Sequence, residues 1–269
     1  MESNELKQLS EEVQNIAKEV GVFIQAEVDK VQRSDIQEKV ENSLVSYVDK
    51  EAEEKLVQKL KPLISDVGFI TEEDTVEQQS KSIMWIIDPL DGTTNYLFGI
   101  PHYSTSIALR VNDDIQLGVI TDIAKNECFH AVRGEGAFRN DKKLSLNYPL
   151  DLKESIFVTG FPYRNDYDPR GYFQIIEHWI KNSRGVRRLG SAALDLCYVA
   201  CGRVSCYYES FLNIWDIAAG VLIVEEAGGR LSDFSGLERH LQSGQIVASH
   251  PMIFEEIIDV IKRELPVNN

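Results

Sequence analysis

The stretch that most constrains this chain is Trp85-Ile86-Ile87-Asp88-Pro89-Leu90-Asp91-Gly92-Thr93-Thr94-Asn95-Tyr96, an apolar run that stops in two carboxylates and continues as a glycine and two hydroxyl residues. Three consecutive apolar residues, two of them β-branched, predict a buried strand. Asp88-Pro89 is expected to end it, because proline has no N–H to give to a sheet. Asp91 then reads as the N-cap of a helix starting near Gly92, whose first-turn N–H groups would attract an anion. Two carboxylates for a hard cation beside N–H groups for a phosphate point to metal-assisted phosphoryl chemistry. A plainer reading stays open for D-x-x-D alone, a strand stop and a helix cap.

At 269 residues the chain can form one large or two modest domains. Lys and Arg number 28 against 43 Asp and Glu, a formal charge of −15. That sign repels nucleic acid and anionic membranes, and no basic cluster offsets it. The acidic start and the lack of any apolar run near the roughly 18 residues of a membrane span predict a soluble, cytoplasmic protein. Cys128, Cys197, Cys201 and Cys206 read as buried thiols and not as a zinc set, since there is no C-x-x-C.

From about Glu5 to Val31, apolar residues recur at intervals of three and four, the pattern of an amphipathic helix packed on a sheet. Leu44-Val45-Ser46-Tyr47-Val48-Asp49 leads into a charged helix over Lys50–Lys61 that Pro62 closes, with Asp49 as its candidate cap. Val67–Ile70 reads as a strand ending in Thr71-Glu72-Glu73-Asp74. Such acids alone suit a solvated loop, but the strand-then-acids pattern repeats at 85–91. Thr105–Val111, Ile115–Thr121 and Glu127–Arg133 predict an antiparallel meander. The G-x-G of Arg133-Gly134-Glu135-Gly136 lies among strands and suits a turn, not a dinucleotide. Beyond residue 148, strands (155–160, 186–189, 205–209, 231–234, 245–249) mix with helices (172–181, 191–201, 215–227, 253–262). Residues 1–148 are therefore expected to form an α+β part around an antiparallel sheet, and 149–269 an α/β part around a mixed one.

W-I-I-D-P-L-D-G-T-T-N closely resembles the signature of the inositol monophosphatase family, the magnesium-dependent, lithium-sensitive phosphatases of the fructose-bisphosphatase superfamily. Other segments follow in the family's order: Val45-Ser46-Tyr47-Val48-Asp49 resembles V-T/S-x-x-D, and Trp215-Asp216-Ile217-Ala218-Ala219-Gly220 resembles W-D-x-A-A/G-G. Thr71-Glu72-Glu73 resembles G-E-E with threonine in place of glycine, which puts the loop's backbone conformation in question. The resemblance implies a layered αβαβα sandwich. It implies that Glu72, Asp88, Asp91, the backbone carbonyl of Leu90, and Asp216 from the second part hold two or three Mg²⁺ ions, a set of hard oxygen donors. It further implies that Asp49 pairs with Thr93 to orient an attacking water, with Glu72 also in the catalytic group. Gly190-Ser191-Ala192-Ala193 and Tyr207-Tyr208-Glu209 resemble the segments that contact substrate hydroxyls, which places Ser191, Ala192 and Glu209 beside Asp91, Gly92, Thr93 and Asp216 in the substrate site. Read bare, Asp216 is a helix cap, 190–193 a helix start and 207–209 a strand end.

The expected activity is Mg²⁺-dependent hydrolysis of inositol 1-phosphate by in-line attack of a metal-activated water, without a phosphoenzyme. NADP, 3′-phosphoadenosine 5′-phosphate and fructose 1,6-bisphosphate are the alternative substrates within the superfamily. The family also implies a homodimer. A metal-binding module that has lost catalysis is the rival class, favoured if a ligand or Thr93 were missing, yet each position is filled. Glu209 argues for a polyol, since its charge repels a second phosphate. Arg187 and Arg188 oppose this, although adjacency lets at most one reach the cleft.

Overall fold

Leu6, Leu9, Val13, Ala17, Val20 and Ile24 share one buried stripe on helix α1 (Ser3–Glu27), so this helix must cover a sheet. It does so together with α2 (Tyr47–Leu60), which buries Val48, Ala52, Leu56 and Leu60. The structure is a computed structural model that describes residues 2–40, 43–77, 81–148, 150–162 and 167–265. Residue 149, the first of the expected second part, lies outside them.

A hairpin of β1 (Gln37–Val40) and β2 (Ser43–Val45) precedes α2. Seven strands then run in sequence order across the first sheet: β3 (Gly68–Thr71), β4 (Ile83–Asp91), β5 (Ser104–Val111), β6 (Asp114–Asp122), β7 (Glu127–Val132), β8 (Gly136–Arg139) and β9 (Lys142–Lys143). The short helix α3 (Thr93–Leu97) links β4 to β5. The second sheet takes β10 (Ile156–Thr159), β11 (Gly185–Arg187), β12 (Cys206–Ser210), β13 (Arg230–Ser232) and β14 (Gln245–Ser249), in the order β11-β10-β12-β14-β13. Its helices are α4 (Arg170–Asn182), α5 (Ala192–Ala200), α6 (Ile214–Glu226), α7 (His240–Ser243) and α8 (Phe254–Glu264).

The layers follow from which faces are apolar. Helices α5 and α6 are apolar almost all round and bury every residue from Ala192 to Ala200 and from Ile217 to Val224, which requires protein on both sides. They fill the space between the two sheets in one continuous core. Gly118 on β6 lets α6 come close, since a Cβ there would lie 2.7 Å from the carbonyl oxygen of Ala219. On the far side of the second sheet, α4 and α8 cover Phe157, Tyr208 and Val247, with Phe157 and Trp179 stacked at 4.2 Å. The order α1/α2, sheet, α5/α6, sheet, α4/α8 is the αβαβα sandwich expected.

Several local expectations need correction. Asp88-Pro89 does not end its strand: β4 continues to Asp91 through a bulge between Asp88 and Asp91, where Pro89 has no ladder bond to forfeit. Asp91 does not cap α3; Gly92, at φ 90°, occupies that position without a side-chain bond. Nor is Asp49 or Asp216 a cap. Each is the third residue of its helix, the reciprocal member of a capping box whose caps are Ser46 and Asn213. The first sheet is not purely antiparallel, because β3 and β4 run parallel. Thr71 is the buried last residue of β3 and needs no glycine; the left-handed residue of that loop is Asp74, at φ 52°. All four cysteines are free thiols. Among the described residues, no helix is long and apolar enough to cross a membrane.

Candidate active site

The carboxyl ends of β3 and β4, the start of α6 and the loop before α5 meet in one cleft of about 190 Å³. Glu72, Asp88, Leu90, Asp91, Gly92, Thr93 and Asp216 all line it, with Leu44, Thr94, Arg188 and Gly190. A larger cavity of about 840 Å³, on the outer side of the second sheet beside Tyr167 and Phe211, contains none of the residues the sequence points to. Asp49, Ser191, Ala192 and Glu209 are not among the residues that line the cleft, although the first three bond to Thr93 or Asp91.

Asp49 reaches the cleft through Thr93. Its Oδ2 accepts from the Ser46 N–H at 2.9 Å and the Ser46 hydroxyl at 2.8 Å, and its Oδ1 accepts from Thr93 Oγ1 at 2.9 Å. Burial pushes the Asp49 carboxyl pKa up, against the opposing bonds from Ser46 and Thr93. Thr93 Oγ1 also lies 2.9 Å from the carbonyl oxygen of Leu90. One proton serves two acceptors, so the lone pairs of Thr93 stay available to a water.

Asp91 caps a helix, but a distant one. Its Oδ2 accepts from the Ser191 hydroxyl at 2.5 Å and the Ala193 N–H at 2.8 Å, and Ala192 N–H also donates to the carboxylate, so Asp91 closes the first turn of α5. The buried Ser191 hydroxyl additionally accepts from Leu194 N–H, which makes Ser191 and Ala192 the support of Asp91. Asp88 Oδ1 accepts from Leu90 N–H at 3.0 Å, and its carboxyl group shares a hydrogen bond with Glu72. Asp216 Oδ2 accepts from Asn213 N–H at 2.6 Å.

These acids are held against their own repulsion. Burial, then the charges of Glu72, Asp91 and Asp216, drives the Asp88 carboxyl well above the usual carboxylate range. Burial and Asp91 do the same to Asp216. Asp91 is raised by burial, with Ser191 and Ala193 opposing. Burial also raises Glu209, on β12, to about 7, opposed by the hydroxyl of Tyr207. Among the described residues, no three His, Cys, Asp or Glu side chains are gathered closely enough to form a finished metal cage. The donor set nevertheless suits a hard cation: carboxylates and a carbonyl, no thiol or imidazole in the cleft, and negative charges that a cation would neutralise.

Other site residues carry no local sequence signal. Asn95 Nδ2 donates to the carbonyls of His102 and Leu189, both at 2.8 Å, which ties α3 to the loop before α5. Asp195 is a buried carboxyl on α5, raised well above its ordinary range by burial and by Asp91. Its Oδ1 lies 3.7 Å from His102 Nε2, and neither atom has a hydrogen-bond partner among the described residues. Of the two arginines weighed above, Arg188 lines the cleft, whereas exposed Arg187 turns back to the carbonyl of Val186.

Comparison with known proteins gives concordant results. The model of the inositol monophosphatase family matches residues 5–265. The chain is 45% identical over 233 residues to Nus factor SuhB of Pasteurella multocida, covering 86% of this chain and 87% of that one. Among solved structures, the extragenic suppressor protein suhB of Bartonella henselae superposes with a TM-score of 0.86 at 34% identity, covering 93% and 96% of the two chains. Inositol monophosphatase from Anabaena (Nostoc) superposes at 0.85 and 31% identity, covering 97% and 98%.

Proposed function

The chain belongs to the inositol monophosphatase family, and from that premise we propose that it is a Mg²⁺-dependent phosphomonoesterase that hydrolyses inositol 1-phosphate to inositol and phosphate. The observation that carries this reading is the cleft itself, where Glu72, Asp88, Asp91 and Asp216 converge beside the Asp49–Thr93 pair. Glu72, Asp88, Asp91, Asp216 and the Leu90 carbonyl would hold two or three Mg²⁺ ions, which supply Lewis acidity to the attacking water, the phosphoryl oxygens and the leaving alkoxide. Thr93 accepts a hydrogen bond from the water while giving its own proton to Asp49, so the nucleophile is aimed in line with the leaving oxygen. Arg188 adds positive charge at the rim for the phosphate. Ser191 and Ala192 fix Asp91, and Glu209 offers an acceptor to hydroxyls of the leaving group.

Within the same reading we place the chain in the cytoplasm as a homodimer, treat residues 1–148 and 149–269 as its two parts, and expect inhibition by Li⁺. Relatives named Nus factor SuhB favour a second reading, in which the chain serves as a Nus factor through a partner and not through the cleft. A formal charge of −15 favours a protein partner over nucleic acid in that case.

Phosphate release, with and without Mg²⁺, from inositol 1-phosphate, NADP, fructose 1,6-bisphosphate and 3′-phosphoadenosine 5′-phosphate tests the proposal. Inositol 1-phosphate should be the best substrate and chelator should stop turnover. Preference for another ester would reassign the substrate, and inactivity on all four would leave the second reading.

A further inference from the structure

The carboxylate of Glu209 occupies the space that a side chain at position 160 would fill. Strands β10 and β12 run parallel, with Thr159 opposite Tyr208, so Gly160 and Glu209 are the next neighbours along the pair. A Cβ at Gly160 would fall 1.9 Å from Oε1, 2.0 Å from Cδ and 2.3 Å from Oε2 of Glu209. Gly160 is not among the positive-φ glycines, so backbone freedom is not its role. Its role is space. From the other side, the fully buried Tyr207 donates its hydroxyl to Glu209 Oε2 at 2.8 Å. Oε1 has no hydrogen-bond partner among the described residues and is left to accept from a ligand.

We propose that Gly160 and Tyr207 are positioning residues that seat the Glu209 carboxylate so that Oε1 meets a hydroxyl of the leaving group, and that this seat sets the preference for a polyol. The proposal rests on the polyol-phosphate reading above. A charge-assisted hydrogen bond depends on where its acceptor stands as much as on its charge. The glycine thus acts on selectivity without touching substrate.

Gly160→Ala isolates position from charge. The three atoms nearest to the added Cβ all belong to the end of the Glu209 side chain and none to backbone, so it is the carboxylate that must shift. Tyr207→Phe removes the hydroxyl alone. Each variant is assayed on inositol 1-phosphate and on p-nitrophenyl phosphate, whose leaving group has no hydroxyl to be read, after a thermal melt has checked the fold. Both should lose about ten- to a hundredfold in kcat/KM for inositol 1-phosphate, mostly through KM, and keep the wild-type value for p-nitrophenyl phosphate. In a Glu209→Ala background, Gly160→Ala should add nothing further. Equal losses on both substrates, no loss at all, or an undiminished effect of Gly160→Ala without Glu209 would overturn the seat. A wild-type preference for another ester would instead overturn the polyol reading. The seat would then stand only if Gly160→Ala and Glu209→Ala remained non-additive on that ester, and a chain inactive on every ester overturns both.

Discussion

Thr93 has two acceptors at 2.9 Å, Asp49 Oδ1 and the Leu90 carbonyl, and one proton to divide between them. Its proton is thus committed, and its oxygen lone pairs are left as a hydrogen-bond acceptor for a water. Thr93→Ala should therefore lower kcat by roughly a hundredfold or more while leaving the Mg²⁺ concentration for half-maximal rate in place; a shift confined to the Mg²⁺ dependence would move Thr93 into the metal shell. Residues with chemistry in their own neighbourhood were legible in the sequence: Glu72, Asp88, Asp91 and Asp216 each follow or open an apolar run. Their partners were not. Asp91 looked like the cap of the next helix, but the hydroxyl it accepts from belongs to Ser191, 100 residues away. Asn95 works through bonds that tie α3 to the loop before α5, and Gly160 through a clearance beside the neighbouring strand, and no local spacing encodes those.

At the level of elements, long periodic segments were readable and short ones were not. The stripe of α1 and the apolar runs of α5 and α6 declare themselves, whereas β9, with two residues, and α7, with four, carry no period at all. Pro89 misled for a physical reason: the bulge in β4 removes the very bond that proline cannot make. Close approach of elements was also invisible. A Cβ on Gly118 would lie 2.7 Å from the carbonyl oxygen of Ala219, and a helix backbone cannot swing aside as a side chain can. Gly118→Ala should push α6 off the first sheet, at a cost of about 1–3 kcal/mol. Asp216 rides on the same helix, so kcat should fall together with the melting temperature. An unchanged melt would mean that α6 has room to spare.

The whole molecule gathers negative charge at the junction of its layers, and stability should register that. Glu209 has a folded pKa near 7, raised by burial from an ordinary 4.5, and Asp195 is displaced in the same direction. A raised carboxyl favours the fold while protonated, so its contribution is complete below about pH 4.5 and is lost as pH rises through about 7. In chelator, urea unfolding should show stability falling between about pH 4.5 and pH 7, by on the order of 3 kcal/mol for Glu209 alone. Glu209→Gln should flatten that slope, and an equally steep profile in the variant would place the titration elsewhere. The fold brings β4 and α6 together so that Asp88 and Asp216 line one cleft. The most direct measurement is therefore phosphate release from inositol 1-phosphate as Mg²⁺ is titrated into the wild type, Asp88→Asn and Asp216→Asn, each verified as folded. Turnover by the wild type that vanishes in chelator and is not restored by saturating Mg²⁺ in either variant is the predicted result; near-wild-type rates in either variant, or full turnover without metal, would contradict it.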